Sequence, residues 1–363
     1  MSKLKVAIIF GGRSGEHEVS RNSAYTVAQS LKQNYDIFPI GIANDGQWYG
    51  PIPINKIPTF TPKEFMENKV TILPNPISKG TIYSLPDLKP LAQAQVFFPV
   101  LHGTFGEDGT IQGLFELAQV SYVGGGVLAS SVGMDKVIMK NLFTQAGLPQ
   151  VPFLSFLRRE IEKDLQAVFQ KTETELGYPC FVKPVNLGSS VGISKASTRE
   201  QLKSALLLAA RYDRKVIIEK GVEAREFEIS VLGNDDPITS LPGEVIPGNE
   251  FYDYEDKYIN DKTTLNIPAR LEEKQIKKIQ ELAIKAFKAI DCSGLSRVDF
   301  FITKNTNEIL INEINTLPGF TAISMYPKLW EHSGIPLDEL TSRLVKLAWE
   351  FFEDKSRNIT TYE

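Results

Sequence analysis

The first third of the chain alternates apolar runs with glycine-rich breaks. Residues 6–10 form a continuous apolar run, which is typical of a strand buried on both faces. Residues 11–15 then supply three glycines, and apolar side chains in residues 19–31 recur at helical spacing. Residues 37–42 form a second strand-like run. This order of strand, turn, helix and strand predicts the start of a parallel α/β sheet.

Residues 51–90 break this pattern because they contain eight prolines. Proline lacks an amide hydrogen and fixes φ, so no long helix is expected here. Short edge strands and turns are predicted instead. Regular structure resumes at residues 96–101, an apolar strand that ends at His102.

The rest of the chain predicts helices and strands of ordinary length. Ser197 and Glu200 match a capping box, so a helix is expected from there to about Tyr212. Residues 271–290 carry apolar side chains at the spacing of an amphipathic helix. The other predicted elements are a helix at 134–145 and strands at 153–157, 216–219, 226–232, 297–302 and 308–314.

Composition and charge exclude several classes of protein. With 363 residues the chain is long enough for two or three domains. Its net charge of −4 provides no general basic field for nucleic acid or for an anionic membrane. Cys180 and Cys292 form no C-x-x-C pair, so neither a disulfide framework nor a zinc site is expected. The apolar runs are too short for a signal peptide or a membrane span, which predicts a cytoplasmic protein.

The last two predicted strands carry the strongest chemical signal. Side chains alternate along a strand, so Arg297 and Asp299 share one face. Glu313 and Asn315 share a face of the next strand, and residues 303–307 are long enough for a hairpin turn between them. The pairing places two carboxylates and an amide together, the oxygen ligands that Mg²⁺ prefers. A solvated hairpin face is the alternative, and the apolar residues between the polar positions weigh against it.

A lysine at the end of a predicted strand precedes a loop of small residues at 184–192. The loop exposes backbone N–H groups and the hydroxyls of Ser189 and Ser190, and Lys183 adds positive charge, a combination suited to phosphate. The segment lacks the G-x-x-x-x-G-K-[ST] spacing of a Walker A loop. Taken alone, such a loop is a flexible turn about as often as a binding site.

Further segments place polar side chains at strand or helix ends. Glu16 starts the first predicted helix, where it either caps the helix or holds a substrate ammonium. Residues 102–113 group His102 with two acidic residues and four glycines at a strand end, an edge where α/β sheets bind ligands. Residues 249–260 have the composition of a loop that closes over a site, although an ordinary surface loop fits equally well.

Together and in this order, these segments resemble the D-alanine–D-alanine ligases of the ATP-grasp superfamily. Residues 102–113 look like the family's first signature, and residues 294–319 look like its second. Residues 11–20, 134–136 and 183–192 agree as well. The resemblance covers most of the chain.

The resemblance implies an α/β fold, α+β in the ATP-binding part, with a three-domain ATP-grasp architecture. ATP is then held between two antiparallel sheets, beside an N-terminal parallel α/β domain. The implied domains are residues 1–130 (a Rossmann-like substrate domain), 131–224 (a central ATP-grasp subdomain) and 225–363 (a C-terminal ATP-grasp subdomain with the metal site and a mobile loop at 249–260). The proline-rich segment departs from compact members of the family.

The resemblance also implies roles for individual residues. The ATP contacts are Lys136, Lys183, Ser189, Ser190, Val191, Gly192, Glu219, Lys220, Val222, Glu226 and Lys257. The ligands of two Mg²⁺ ions, for which Mn²⁺ is expected to substitute, are Asp299, Glu313 and Asn315. The catalytic residues are Glu16, Ser189, Tyr258, Arg297 and Gly319. The substrate contacts are Glu16, His102, Tyr258, Arg297, Ser324 and Met325.

The implied activity is the joining of two D-alanine molecules through a D-alanyl phosphate, with release of ADP and phosphate, for peptidoglycan precursor synthesis. The implied partners are D-alanine, ATP and a second copy of the chain, without nucleic acid or membrane. The nearest alternative is a D-alanine–D-lactate ligase, against which Tyr258 argues because those relatives lack the tyrosine-bearing loop. The alternatives from other classes are a non-catalytic amino-acid-binding protein and a nucleotide-binding oxidoreductase, whose G-x-G-x-x-G turn is missing.

Overall fold

The computed structural model describes residues 3–188, 191–246 and 264–359. These residues form four β-sheets, and the five-stranded sheet comes first in the chain while the six-stranded sheet comes last. The expectation of an α/β fold with a parallel sheet followed by antiparallel sheets is confirmed. No helix in these ranges is long and apolar enough to cross a membrane.

The first part of the chain builds the parallel sheet. Its elements are β1 (Lys5–Gly11), α1 (His17–Leu31), β2 (Asp36–Ile42), β3 (Trp48–Tyr49), β4 (Val70–Ile72), β5 (Thr81–Ser84), β6 (Pro90–Gln93), β7 (Val96–Val100), α2 (Thr110–Ala118), β8 (Ser121–Tyr122) and α3 (Val127–Met134). The strand order is β3-β2-β1-β7-β8, with β1 parallel to both β2 and β7. The strand β1 is continuously apolar because α1 covers one of its faces and α2 covers the other.

The proline-rich segment folds into short elements, as expected. It contains the 3-10 helices Ile54–Lys56, Pro62–Phe65 and Pro76–Ser78, and the small antiparallel sheet β4-β5-β6. Two of these helices begin with proline, whose fixed φ suits a first turn. Ile72 and Ile82 are buried in the core beneath the parallel sheet, so the segment extends that core.

The middle of the chain forms a four-stranded antiparallel sheet. Its elements are α4 (Lys136–Gln145), β9 (Phe153–Leu157), α5 (Arg158–Lys163), α6 (Leu165–Glu175), β10 (Cys180–Pro184), β11 (Ser194–Ala196), α7 (Arg199–Tyr212) and β12 (Lys215–Lys220). The strand order is β11-β10-β12-β9. Helices α6 and α7 cover one face, where Phe169 and Leu206 pack in one core with Val182 and Ile218.

The helix predicted at 134–145 is wrong in its boundary, because the chain breaks at Asp135 into α3 and α4. The Asp135 carboxylate accepts hydrogen bonds from the N–H groups of Val137 and Ile138, both at 3.1 Å. A carboxylate in this position favours a new helix start over a continuous helix.

The capping box predicted at Ser197 is shifted by one residue. Thr198 is the N-cap of α7, and its hydroxyl accepts a hydrogen bond from Gln201 N–H. The Gln201 side chain accepts one in return from Ser197 N–H at 2.7 Å. Glutamine therefore performs the role that the sequence suggested for Glu200.

The last part builds the six-stranded sheet. Its elements are β13 (Ala224–Gly233), β14 (Ile238–Thr239), β15 (Gly243–Ile246), β16 (Thr264–Asn266), α8 (Glu273–Ala289), β17 (Gly294–Thr303), β18 (Ile309–Asn315), α9 (Met325–His332) and α10 (Leu337–Lys355). The strand order is β16-β15-β13-β17-β18, and β14 pairs with β13. The strands β17 and β18 form the predicted hairpin. Ile279, Ala283 and Phe287 of the amphipathic helix α8 are buried in the core of this sheet.

Two connections hold the three parts together. Helix α10 returns to the parallel sheet, where Leu340 and Leu344 share one hydrophobic core with Ile8. The amide of Ile311 in β18 donates a hydrogen bond of 2.7 Å to the carbonyl of Pro149, just before β9. These contacts keep the ends of all three parts beside a common cleft.

Candidate active site

One cleft collects polar side chains from all three parts of the chain. The predicted site residues that line it are Glu16, His102, Lys136, Arg297, Glu313, Asn315, Gly319, Ser324 and Met325. Glu107, Gly188 and Glu228 line it as well. The structure therefore brings together residues that the sequence separates by as many as 309 positions, from Glu16 to Met325.

Glu16 lies at the N-cap position of α1, but its side chain makes no capping hydrogen bond within the described chain, so the capping alternative is wrong. Its carboxylate points to the cleft, close to the turn after β7. A Cβ added to Gly103, whose φ is +73°, would lie 3.0 Å from Glu16 Oε2. Glycine at this position thus lets the carboxylate approach the backbone.

His102 is buried beside two carboxylates. Its Nδ1 lies 3.4 Å from Glu107 Oε1, and its Nε2 lies 3.3 Å from Ser23 Oγ. Burial lowers the pKa of His102, but Glu107 and Glu16 outweigh that effect and raise it, which favours the imidazolium. Burial also raises the pKa of Glu107. A cation next to the Glu16 carboxylate suits a zwitterionic amino acid.

Arg297 joins two carboxylates on the six-stranded sheet. Its Nε and Nη2 donate to the two oxygens of Asp299 at 2.8 and 2.7 Å, and its Nε lies 3.0 Å from Glu228 Oε2. Burial lowers the pKa of Arg297, but the two carboxylates raise it well above its ordinary value. The guanidinium is therefore a fixed positive charge at the cleft. Glu228 was not identified from the sequence, although it lies two positions after Glu226 and therefore on the same face of the strand.

The predicted oxygen ligands occupy neighbouring positions of the β17–β18 hairpin. Asp299 lies opposite Glu313, and Arg297 lies opposite Asn315. The Asn315 side-chain oxygen accepts a hydrogen bond of 2.9 Å from Leu317 N–H. Within the described ranges, no three His, Cys, Asp or Glu side chains form a cluster that could hold a metal by themselves. The set available here is two carboxylates and an amide.

A second group of charges lies on the four-stranded sheet. Lys183 Nζ lies 2.6 Å from Glu219 Oε2, and Lys140 Nζ lies 2.9 Å from Glu219 Oε1. Burial raises the pKa of Glu219, but the two ammonium groups outweigh it and lower the pKa to about 2. Lys140 was missed in the sequence. The signal was its spacing of four residues from Lys136, which places both lysines on one face of α4.

Lys136 links this group to the hairpin. Its Nζ donates a hydrogen bond of 2.7 Å to the carbonyl of Leu187, in the glycine-rich loop, and lies 4.0 Å from Glu313 Oε2. Gly192 closes that loop with φ +74°, where a Cβ would meet Pro184 at 2.9 Å. The lysine thus ties the loop to the predicted metal ligands.

The other predicted ATP contacts lie along β12 and the strand after it. Lys220 is exposed at the end of β12, whereas Val222 and Glu226 are half-buried and Val191 is exposed. The described lining of the cleft leaves out these four residues, together with Lys183, Gly192, Glu219 and Asp299. Ser189, Ser190, Lys257 and Tyr258, and the predicted loop at 249–260, lie outside the described residues.

The N-terminus of α9 faces the cleft from the other side. Ser324 is the N-cap, and its hydroxyl accepts a hydrogen bond of 3.0 Å from Thr321 N–H. A Cβ on Gly319 would lie 2.8 Å from Ser324 Oγ, so glycine allows the two segments to touch. Free N–H groups at a helix start favour an anion such as a carboxylate.

Comparison with known proteins covers both halves of the chain. Residues 5–125 match the family model described as D-ala D-ala ligase N-terminus, and residues 142–346 match the model described as D-ala D-ala ligase C-terminus. A D-alanine–D-alanine ligase from Heliobacterium modesticaldum is 52% identical over 362 residues, which cover 99% of this chain and 98% of that protein. One from Geobacillus thermodenitrificans is 47% identical over 363 residues, covering 99% of this chain and all of that protein.

Solved structures agree. The D-alanine–D-alanine ligase from Coxiella burnetii superposes with a TM-score of 0.87 at 36% identity, covering 98% of this chain and 97% of that one. The VanG D-Ala:D-Ser ligase from Enterococcus faecalis gives 0.86 at 37% identity, covering 96% and 100%. Both solved ligases thus match nearly the whole length of this chain.

Proposed function

Because this chain belongs to the D-alanine–D-alanine ligase family and joins two D-alanine molecules with ATP, we propose that the cleft described above is where this reaction takes place. Family membership excludes the oxidoreductase and the non-catalytic alternatives. The observation that carries the proposal is the meeting of Glu16, Arg297 and Glu313 in one cleft. Glu16 supplies a site for an ammonium, Arg297 a site for a developing oxyanion and Glu313 a site for a metal.

The first step activates a carboxylate. An oxygen of the first D-alanine attacks the γ-phosphorus of ATP, ADP leaves, and a D-alanyl phosphate forms. We propose that Glu16 holds the ammonium of this D-alanine, with His102 beside it. Lys136 and Lys183 would neutralise the phosphates, because negative charge spreads over them as the bond to ADP breaks.

The donor set of the β17–β18 hairpin fits Mg²⁺. Asp299, Glu313 and Asn315 present hard oxygen atoms on adjacent strands, and the Glu313 carboxylate lines the cleft. Two Mg²⁺ ions held by these three residues would offset the negative charge that develops on the phosphates, and Mn²⁺ would substitute. Arg297 orients the Asp299 carboxylate through its two hydrogen bonds.

The adenosine would lie against β12 and the glycine-rich loop. We assign its base and ribose to Glu219, Lys220, Val222 and Glu226, and its phosphates to the segment Ser189, Ser190, Val191 and Gly192, with Lys257. The support among the described residues is the contact between the Lys183 ammonium and the Glu219 carboxylate. In this arrangement ATP lies between the four-stranded and the six-stranded sheets.

The second step forms the peptide bond. The amine of the second D-alanine attacks the activated carbonyl carbon, phosphate leaves, and the amine loses a proton. Arg297 and the Gly319 N–H would stabilise the tetrahedral oxyanion. Ser324 and Met325, at the start of α9, would bind the carboxylate of the second D-alanine. Ser189 and Tyr258 are the residues proposed to guide the proton.

The wider expectations follow from the same assignment. We propose that residues 1–130, 131–224 and 225–363 act as the substrate domain and the two ATP-grasp subdomains, and that the enzyme is a cytoplasmic homodimer. The support for the divisions is that each carries its own main sheet. Light scattering of the purified protein tests the dimer, and a monomer mass would refute it.

One assay tests the proposed function. Phosphate release from ATP is measured with D-alanine, L-alanine, D-alanine plus D-lactate and D-alanine plus D-serine, with and without Mg²⁺. We expect Mg²⁺-dependent release with D-alanine alone and no gain from D-lactate. Release that needs D-lactate or D-serine would overturn the choice of second substrate. Release without any divalent cation would overturn the metal assignment.

A further inference from the structure

Lys140 is one of the most deeply buried charged side chains in the described part of the protein, with 1% of its surface exposed. Its Nζ contacts Glu219 Oε1 at 2.9 Å, donates to the carbonyl of Asn312 at 3.3 Å and lies 5.9 Å from the centre of the Phe153 ring. It thus joins α4 to β12, β9 and β18. A buried ammonium is costly without a partner, so its position calls for a reason beyond packing.

The reason lies in what Glu219 holds. One carboxylate takes two ammonium groups, one on each oxygen, because Lys183 Nζ contacts Oε2 at 2.6 Å. Lys183 is half-buried at the end of β10, whereas Lys140 is enclosed. The two contacts are therefore unequal, because 12% of the Lys183 side chain is exposed and only 1% of the Lys140 side chain is.

Lys183 is the lysine assigned above to the ATP phosphates, and in that assignment its ammonium exchanges the Glu219 carboxylate for the phosphates. If Glu219 had no other partner, that movement would leave a carboxylate alone in the interior, which is strongly unfavourable. With Lys140 in place, the carboxylate keeps a counter-charge. Moving the Lys183 ammonium from the carboxylate to the phosphates then costs little free energy.

We propose that Lys140 is a positioning residue that holds Glu219 when nucleotide binds, and so releases Lys183 to the phosphates. The inference rests on the proposed function, because it needs Lys183 to bind phosphate. It separates two parts of nucleotide affinity. Binding of the adenosine part depends on the base and ribose contacts assigned above, Glu219 among them, whereas binding of the phosphates depends on the release of Lys183.

The experiment compares adenosine with adenylyl imidodiphosphate plus Mg²⁺, each titrated calorimetrically into the full-length enzyme. The measured quantity is the dissociation constant of adenosine divided by that of the analogue. This ratio is the gain in affinity that the phosphates provide. We expect Lys140→Met to lower this phosphate-dependent gain about tenfold, the smaller end of the range for residues that support a direct ligand. The KM for ATP should rise while the KM for D-alanine stays the same.

Two variants serve as references. Lys183→Met should lower the same ratio at least as much, because it removes the phosphate contact itself. Lys215→Met removes a partly buried lysine that pairs with Asp135 and lies at the opposite end of β12 from Glu219. It should lower the melting temperature without changing the ratio.

A double variant covers the case in which Lys140→Met does not fold. In a Glu219→Gln background the carboxylate that Lys183 contacts is gone, so adding Lys140→Met should leave the ratio unchanged. A further fall of the ratio in that background would overturn the inference.

The outcomes separate the inference from the proposed function. A normal ratio in Lys140→Met together with a lowered ratio in Lys183→Met overturns the inference and leaves the ATP site intact. A normal ratio in Lys183→Met overturns the phosphate assignment, and the role of Lys140 with it. Equal losses of adenosine and analogue affinity in Lys140→Met show a purely structural lysine and also overturn the inference.

Discussion

The two antiparallel sheets that flank the cleft carry opposite charge ratios. On the four-stranded sheet with α4, two lysines share one carboxylate, Glu219. On the six-stranded sheet, Asp299 and Glu228 share one guanidinium, that of Arg297. The first group therefore has one excess positive charge, and the second group has one excess negative charge.

The difference shows how one cleft serves two kinds of ligand. A surplus ammonium is suited to a triphosphate, and a surplus carboxylate, joined by Glu313, is suited to a divalent cation. A balanced ion pair would offer neither, since each charge would already be neutralised. The surplus is stable because both groups are hydrogen-bonded and largely buried.

Removing the shared cation of the six-stranded sheet should have the largest effect. Arg297→Met removes the guanidinium that both Asp299 and Glu228 contact, and we expect the free energy of unfolding to fall by about 3–5 kcal/mol. Urea unfolding at neutral pH measures it. Arg225→Met is the control, because its pair with Glu244 is more exposed and should contribute less than about 1 kcal/mol. Equal losses in the two variants would contradict the comparison.

Removing surplus negative charge should affect turnover more than folding. Glu313→Gln keeps the shape of the hairpin but takes away a charge that faces the cleft, so we expect phosphate release to fall about 100- to 1000-fold. The Mg²⁺ concentration that gives half-maximal phosphate release should rise. Glu308→Gln, on the exposed turn of the same hairpin, is the control and should be unchanged. Normal Mg²⁺-dependent turnover in Glu313→Gln would remove the metal assignment.

The smallest effect is expected where one cation faces one close carboxylate. The pKa of His102 is raised above 6.5, so its charge stabilises the fold fully below pH 6.5 and is lost as pH rises through the raised pKa. Glu107→Gln removes one cause of the raised pKa of His102. As pH rises, the stability of this variant should therefore begin to fall at a lower pH than that of the unchanged protein. Proton NMR titration of the chain's three histidines measures the shift, with Glu350→Gln as control. An unchanged His102 titration would show that Glu107 does not set it.

The hairpin shows what the sequence can predict. Period-two alternation was enough to place Asp299, Glu313 and Asn315 on one surface, because side-chain direction along a strand is a local property. The register shift between Asp299 and Phe300 was not predictable. It depends on how the turn and the partner strand fit together, and the sequence contains no local signal for it.

Glu228 and Lys140 show what the sequence concealed. Their partners, Arg297 and Glu219, are about seventy or more positions away, so only the folded chain reveals that these charges are paired. A lysine in a helix is normally solvated, and Lys140 is buried because β18 and β9 close over it. The cleft residues from the family signatures were found because those motifs are long and contiguous. Charges that support them from behind carry no such motif.

Helix α10 completes the core of the parallel sheet, with Leu340 and Leu344 packed beside Ile8. The parallel sheet therefore lacks part of its apolar interior until residues 337–355 have been synthesised. A nascent chain stopped before residue 337 would expose that surface to chaperones or to aggregation. The core of the first sheet is thus completed by residues that come after all the strands of the other two main sheets.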